Sequence, residues 1–144
     1  MDRRQIIEEI LSTFHGIKHV VESTFRPIVS EHDFTYSQMM ILRVVKHNPG
    51  ISIKELAGLL GITSSAVTQQ VDALVRKGYL VREGNVDDRR SLSLRLSAGF
   101  NRQAEEIQMV VIKKLNEYFS VLTDDELAAY AALNRKLANK ITEK

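Results

Sequence analysis

The sequence predicts a mainly α-helical fold with one small β-hairpin, and three observations carry that prediction. Apolar residues recur at helical spacing through most of the chain, from Ile6 to Ile141. A Ser or Thr followed three residues on by Gln or Glu, the signature of a helix start, occurs at Thr35, Ser52 and Thr123. Between Tyr79 and Leu96 the apolar period drops from 3.6 to 2, the mark of strands.

The elements follow in order. Ile6, Ile7, Ile10, Leu11, Phe14, Ile17, Val20, Val21 and Phe25 make one long amphipathic helix, which Pro27 is expected to interrupt near its end. Thr35 opens a second helix with Gln38 as its box partner, and Phe34 and Met39 stand where a hydrophobic staple belongs. Asn48-Pro49-Gly50 stops it near His47. Ser52 and Glu55, flanked by Ile51 and Leu56, start a third helix that Gly61 cuts short. Thr63 caps a fourth, with Ile62 and Val67 as its staple, Val67, Val71 and Leu74 as its buried stripe, and Gly78 as its stop. Tyr79–Glu83 and Ser91–Leu96 are the two strands, the second placing Leu92, Leu94 and Leu96 on one face. Ser97 begins a helix carrying Ile107, Val110, Val111, Leu115 and Tyr118 or Phe119. Thr123, with Leu122 and Leu127 as staple, begins a last one through Leu133, Leu137 and Ile141.

A chain of 144 residues fits one folding unit. No stretch has the roughly 18 to 20 apolar residues of a membrane span, and acidic residues follow the amino terminus within its first turns, so no membrane association and a cytoplasmic location are expected. The absence of cysteine excludes disulfide frameworks, thiolate catalysis and cysteine zinc sites. The net charge of +2 conceals an asymmetry: residues 35–97 hold nine Lys and Arg against five Asp and Glu, a segment of +4 that leaves −2 for the rest. A polyanion would meet the middle of the chain.

A short helix, a glycine turn and a second helix make a helix-turn-helix, whose second helix enters the major groove of DNA. Burying Val67, Val71 and Leu74 turns Ser64, Ser65, Thr68, Gln69 and Asp72 outward, and Gln69 is able to contact adenine bidentately. The alternative is that these Ser and Thr residues are ordinary caps and surface. Arg89 and Arg90 sit at the tip of the hairpin as a wing reaching the minor groove, with Asp88 orienting Arg90 and Asp87 less constrained. The alternative there is a solvated charged turn. Lys54, Arg76, Lys77 and Arg82 are candidate phosphate contacts.

The segment Asp88-Arg89-Arg90-Ser91-Leu92-Ser93-Leu94-Arg95-Leu96-Ser97 resembles the wing signature of MarR-type regulators, with Ser97 in place of the usual Thr. Ile53–Ala57, Gly61–Thr68 and Leu74–Arg82 are similar to that family's helix-turn-helix. The resemblance covers the whole chain. It implies a DNA-binding transcriptional regulator, an obligate dimer with the terminal helices of both chains interleaved and two winged lobes below. Ser64, Ser65, Thr68 and Gln69 would then face the major groove and Arg90 the minor groove. The expected layout is one MarR-like domain, with 1–34 and 97–144 as dimerisation helices and 35–96 as the winged helix-turn-helix lobe. Independently of the family, the terminal helices carry more apolar stripe than one small lobe covers, and a two-fold partner is the economical cover. Two symmetric reading helices predict a pseudo-palindromic operator with half-sites about 10 bp apart.

The family resemblance also suggests a pocket for a small aromatic or amphipathic acid between the terminal helices and the lobe. His32, Phe34, Tyr36 and Arg43 fall near that junction, where ordinary interface packing is the alternative. His15, His19 and Glu22 are spaced to share a helix face and reach a divalent metal, although a histidine in such a helix is more often an interface residue; no metal and no cofactor are expected. Enzyme signatures are missing: no glycine-rich phosphate loop, no Gly-x-Ser-x-Gly, no His-Glu-x-x-His. The stronger rival to DNA binding is a winged helix used for protein contact.

Overall fold

A computed structural model describes residues 1–84 and 92–142, the side chains of 141 and 142 excepted. Six helices and a three-stranded sheet run in the order α1 (Arg3–Glu31), α2 (Tyr36–His47), β1 (Ile51–Ser52), α3 (Ile53–Leu60), α4 (Ser64–Arg76), β2 (Leu80–Glu83), β3 (Ser93–Leu96), α5 (Ala98–Phe119) and α6 (Asp124–Thr142). The helix starts are where local chemistry puts them. The Thr35 hydroxyl accepts the Gln38 amide at 3.2 Å while the Gln38 side chain accepts the Thr35 amide at 3.0 Å, so two amides that helix geometry orphans are satisfied together. Thr123 and Glu126 repeat the arrangement at α6, and the bonds that the exposed Glu126 carboxylate accepts from the Thr123 amide and hydroxyl hold it below its ordinary range. Asp2 and Gln5 add a third box at α1.

Two expectations need correction. Helix α1 is not interrupted at Pro27 but runs on through it for four residues, to Glu31. Proline in a helix costs about 3 kcal/mol through a lost hydrogen bond and a ring clash. Here Phe25 on one side and Ile28 and Val29 on the other are all buried in the core while Pro27 faces solvent, and that burial carries the helix through. The second correction is a third strand: Ile51 and Ser52 pair antiparallel with Leu94 and Ser93, giving the sheet order β1-β3-β2. The hairpin is thereby joined to the start of α3.

The core gathers the carboxyl-terminal end of α1, one stripe of α2, the inner faces of α3 and α4, Leu80 and Leu94 of the sheet, and Phe100, Ile107 and Val111 of α5. Val110, expected in that stripe, is largely exposed, and Phe119 rather than Tyr118 is the half-covered ring, set against Tyr130 at 6.3 Å. The rest of α1 projects away from this core. Along it, Ile6, Ile10, Phe14 and Ile17 continue the stripe that Phe25 and Ile28 bury, yet with Ile7 and Leu11 they remain 42 to 58% exposed. Leu133 and Leu137 of α6 are exposed in the same way. Among the described residues no helix is long and apolar enough to cross a membrane.

Candidate nucleic-acid interface

Helices α3 and α4 are joined by a turn built from backbone alone. Gly61 adopts the left-handed conformation at φ 67°, its N–H donates to Gly58 at 3.4 Å and that of Ile62 to Ala57 at 3.2 Å, the paired closure that favours glycine at this position. Helix α4 ends in the same way: Gly78 donates to Val75 and Tyr79 to Leu74, each at 3.0 Å. The opposite end of α4 is capped by the Thr63 hydroxyl, which accepts from Ala66 at 3.1 Å. Ile62, its expected staple, stays 44% exposed.

Val67, Val71 and Leu74 are each 0% exposed, so the roll of α4 about its own axis is fixed by packing. The residues left outward are Ser64, Ser65, Thr68 and Gln69, all exposed. Thr68 donates its hydroxyl to the Ser64 carbonyl at 2.8 Å, which leaves a methyl group and acceptor lone pairs on the outer side. Ser64, Ser65 and Gln69 keep their side chains free of hydrogen bonds among the described residues. Asp72, one turn further on, is half-buried and ion-paired with Arg82 of β2.

The basic residues divide into two groups. Lys54 on α3 and Arg76 on α4 are exposed and joined to no carboxylate among the described residues. Arg82 donates to Asp72, and Lys77 reaches the Asp33 carbonyl at 2.5 Å and its carboxylate at 3.6 Å. Ser97, the expected first cap of α5, makes no cap hydrogen bond there; its hydroxyl donates to the Gly78 carbonyl at 2.6 Å and fastens α5 to the end of α4. Asp87, Asp88, Arg89 and Arg90, the expected wing tip, lie outside the described residues.

The four residues expected at the junction do not form one pocket. Phe34 and Arg43 line a cavity of about 50 Å³ together with Phe25, Met39, Phe100 and Gln108. His32 is turned into a separate cleft, its Nδ1 3.1 Å from the Gln103 amide and its ring stacked on Phe34 at 5.6 Å. Tyr36 packs edge-on against Phe25 at 5.9 Å, and burial, aided by the Glu22 charge and opposed by Arg43, raises its phenol above the ordinary tyrosine value. Sequence reading missed Phe25 as the hub, with Tyr36 at its edge and Arg43 over its ring at 5.9 Å, and it missed Lys46, which donates to Gln108 at 2.6 Å beside the cavity. Nor do His15, His19 and Glu22 converge. Both histidines are exposed, Glu22 lies 3.8 Å from Lys18 and 3.9 Å from Arg26, and among the described residues no group of three His, Asp or Glu side chains is placed to hold a metal.

The family model described as MarR family matches residues 32–91, from the turn before α2 into the hairpin. The transcriptional repressor MdtR of Bacillus subtilis is 25% identical over 134 residues, 93% of this chain and 86% of that protein. Over residues 32–91 the chain is similar to the MarR family. Among solved MarR-family structures, a mutant MarR from Escherichia coli complexed with operator DNA is 25% identical and superposes with a TM-score of 0.72 over 95% of this chain and 99% of that one. NadR in complex with 4-hydroxyphenylacetate, also 25% identical, gives a TM-score of 0.79 over 90% of this chain and 92% of that one. The likeness in fold to these structures extends well beyond residues 32–91, to both terminal helical regions.

Proposed function

We propose that this chain is a non-enzymatic transcriptional regulator of the MarR family, a repressor, that binds a pseudo-palindromic operator in duplex DNA as a homodimer in the cytoplasm. The observation that carries the reading is the outer edge of α4: four short polar side chains, on a helix whose roll is locked by three fully buried residues. Such an edge is able to approach base edges closely, and Gln69 carries the amide that suits adenine. Lys54 and Arg76 add cations for phosphate, and Arg89 and Arg90 would supply the wing, with Asp88 orienting Arg90. The names of MdtR as a repressor and of MarR in complex with operator DNA support the same reading.

In this reading residues 35–96 form the DNA-binding lobe of a single domain, and 1–34 and 97–144 are dimerisation helices. The uncovered half of the α1 stripe supports a second copy as its cover. The cavity at Phe34 and Arg43 is the effector site, with Arg43 and Lys46 as cations for a small aromatic acid of the kind that NadR holds. At about 50 Å³ it takes only a small group as it stands.

The test uses a duplex selected from a random pool by the unmodified protein. Affinity is expected to fall steeply and log-linearly with salt, and Gln69→Ala to cost about 1 to 3 kcal/mol on that duplex with the salt slope unchanged, since a base contact and not a phosphate contact is lost. Flat salt dependence, with Gln69→Ala binding as well as the parent, contradicts the reading and favours a winged helix used for protein contact.

A further inference from the structure

We propose that Arg82 and Lys77 are positioning residues that clamp the reading helix α4 to its surroundings, and that phosphate contacts on this face fall to Lys54 and Arg76. This rests on the DNA-binding reading above and assigns roles within it. Of the four cations expected as phosphate contacts, Lys54, Arg76, Lys77 and Arg82, the structure shows two already paired.

Arg82 lies on β2, opposite Leu94 of β3, and its guanidinium donates to the carboxylate of Asp72 on α4, one helical turn beyond Thr68. The two side chains are only 31 and 42% exposed, so the pair is partly shielded from water. It joins the middle of the reading helix to the strand that leads into residues 85–91. Lys77 stands at the carboxyl-terminal end of α4 and reaches the backbone carbonyl and one carboxylate oxygen of Asp33, in the turn between α1 and α2. The neighbour of Asp33, Phe34, packs edge-on against Tyr79 at 5.9 Å and Phe100 at 6.4 Å. The reading helix is therefore tied at Asp72 to the sheet and at Lys77 to the foot of α1.

The electrostatic consequence separates a clamp from a phosphate contact. Each phosphate neutralised by a free cation releases condensed counterions and adds about 0.9 to the salt slope. An arginine already neutralised by Asp72 offers a phosphate a pair of no net charge, and the same holds for Lys77 beside Asp33. Lys54 and Arg76 have no such partner among the described residues. The loss of a clamp lets α4 shift against the strand and the turn, so that contacts at Ser64, Ser65 and Gln69 are all misplaced together.

The experiment measures affinity for the selected duplex over a range of salt, with thermal melting to establish that each variant folds. Lys54→Gln and Arg76→Gln are each expected to lower the slope by about 1. Arg82→Gln and Lys77→Gln are expected to keep the parent slope while weakening binding roughly two- to five-fold at every salt concentration, the range a partly exposed ion pair supports. Asp72→Asn, added to Arg82→Gln, is expected to cost nothing more, because the pair acts as one unit. Should Arg82→Gln fail to fold, Arg82→Lys, which keeps the charge and loses the fork, serves instead: slope kept, affinity lowered. If Arg82→Gln or Lys77→Gln lowers the slope as much as Arg76→Gln does, or leaves affinity untouched, the clamps are overturned and the DNA reading stands. A flat slope for the parent protein overturns the DNA reading and the clamp proposal with it.

Discussion

Replacing Leu74 with alanine is expected to destabilise the fold by about 2 to 5 kcal/mol, measured by denaturant unfolding. Leu74 is fully buried, and it serves two elements at once. It ends the apolar stripe that fixes the roll of α4, and its carbonyl accepts the Tyr79 amide at 3.0 Å in the turn that leads into β2. The lost methyl groups leave a cavity between α4 and its neighbours that a helix held by caps and clamps cannot readily collapse. Ser64→Ala on the opposite face of the same helix is expected to change stability by less than about 0.5 kcal/mol. The pair separates packing from recognition: Leu74→Ala unfolds the lobe, whereas Ser64→Ala touches only what the helix reads. A loss below about 1 kcal/mol for Leu74→Ala would mean that α4 is not seated as described.

The second large effect concerns the uncovered half of α1. Ile10→Glu combined with Phe14→Glu is expected to convert a dimer into single subunits in analytical ultracentrifugation, and to lower affinity for the selected duplex by about a thousandfold or more, toward non-specific binding. Both residues continue the stripe of Phe25 and Ile28, which is 1 and 4% exposed where the lobe covers it. In the proposed homodimer a two-fold axis would place each carboxylate against the partner's apolar surface twice over, where burial of an unpaired charge is prohibitive. Both side chains are exposed in the single chain, so melting of the lobe itself is expected to change little. A double variant that remains dimeric and binds as tightly as the parent would remove α1 from the interface.

Much of the fold is legible in the sequence because its signals are local. The boxes at Thr35 and Thr123 and the glycine closures at Gly61 and Gly78 involve residues within one turn of each other, so short-range chemistry decides them. The outward set on α4 is legible for the same reason, as the complement of Val67, Val71 and Leu74. What escaped depends on partners far along the chain. β1 is two residues long and exists only because Leu94 and Ser93 arrive beside it, 43 and 41 positions later by their numbering. Pro27 reads as an interruption, yet buried neighbours on both sides override the local cost. Arg82 and Lys77 read as free cations, and only the folded chain shows Asp72 and Asp33 against them. His32, Phe34, Tyr36 and Arg43 are close in sequence, but the turn after α1 and the phase of α2 send two of them to the cavity and two elsewhere.

The central claim is that two copies of α4 read adjacent major grooves on one side of a single duplex. Affinity measured on selected operators whose half-sites are moved apart tests it most directly. Insertion of about 5 bp, half a helical turn, is expected to abolish specific binding because it turns one half-site to the far side of the duplex. Affinity that is indifferent to the insertion would contradict the account.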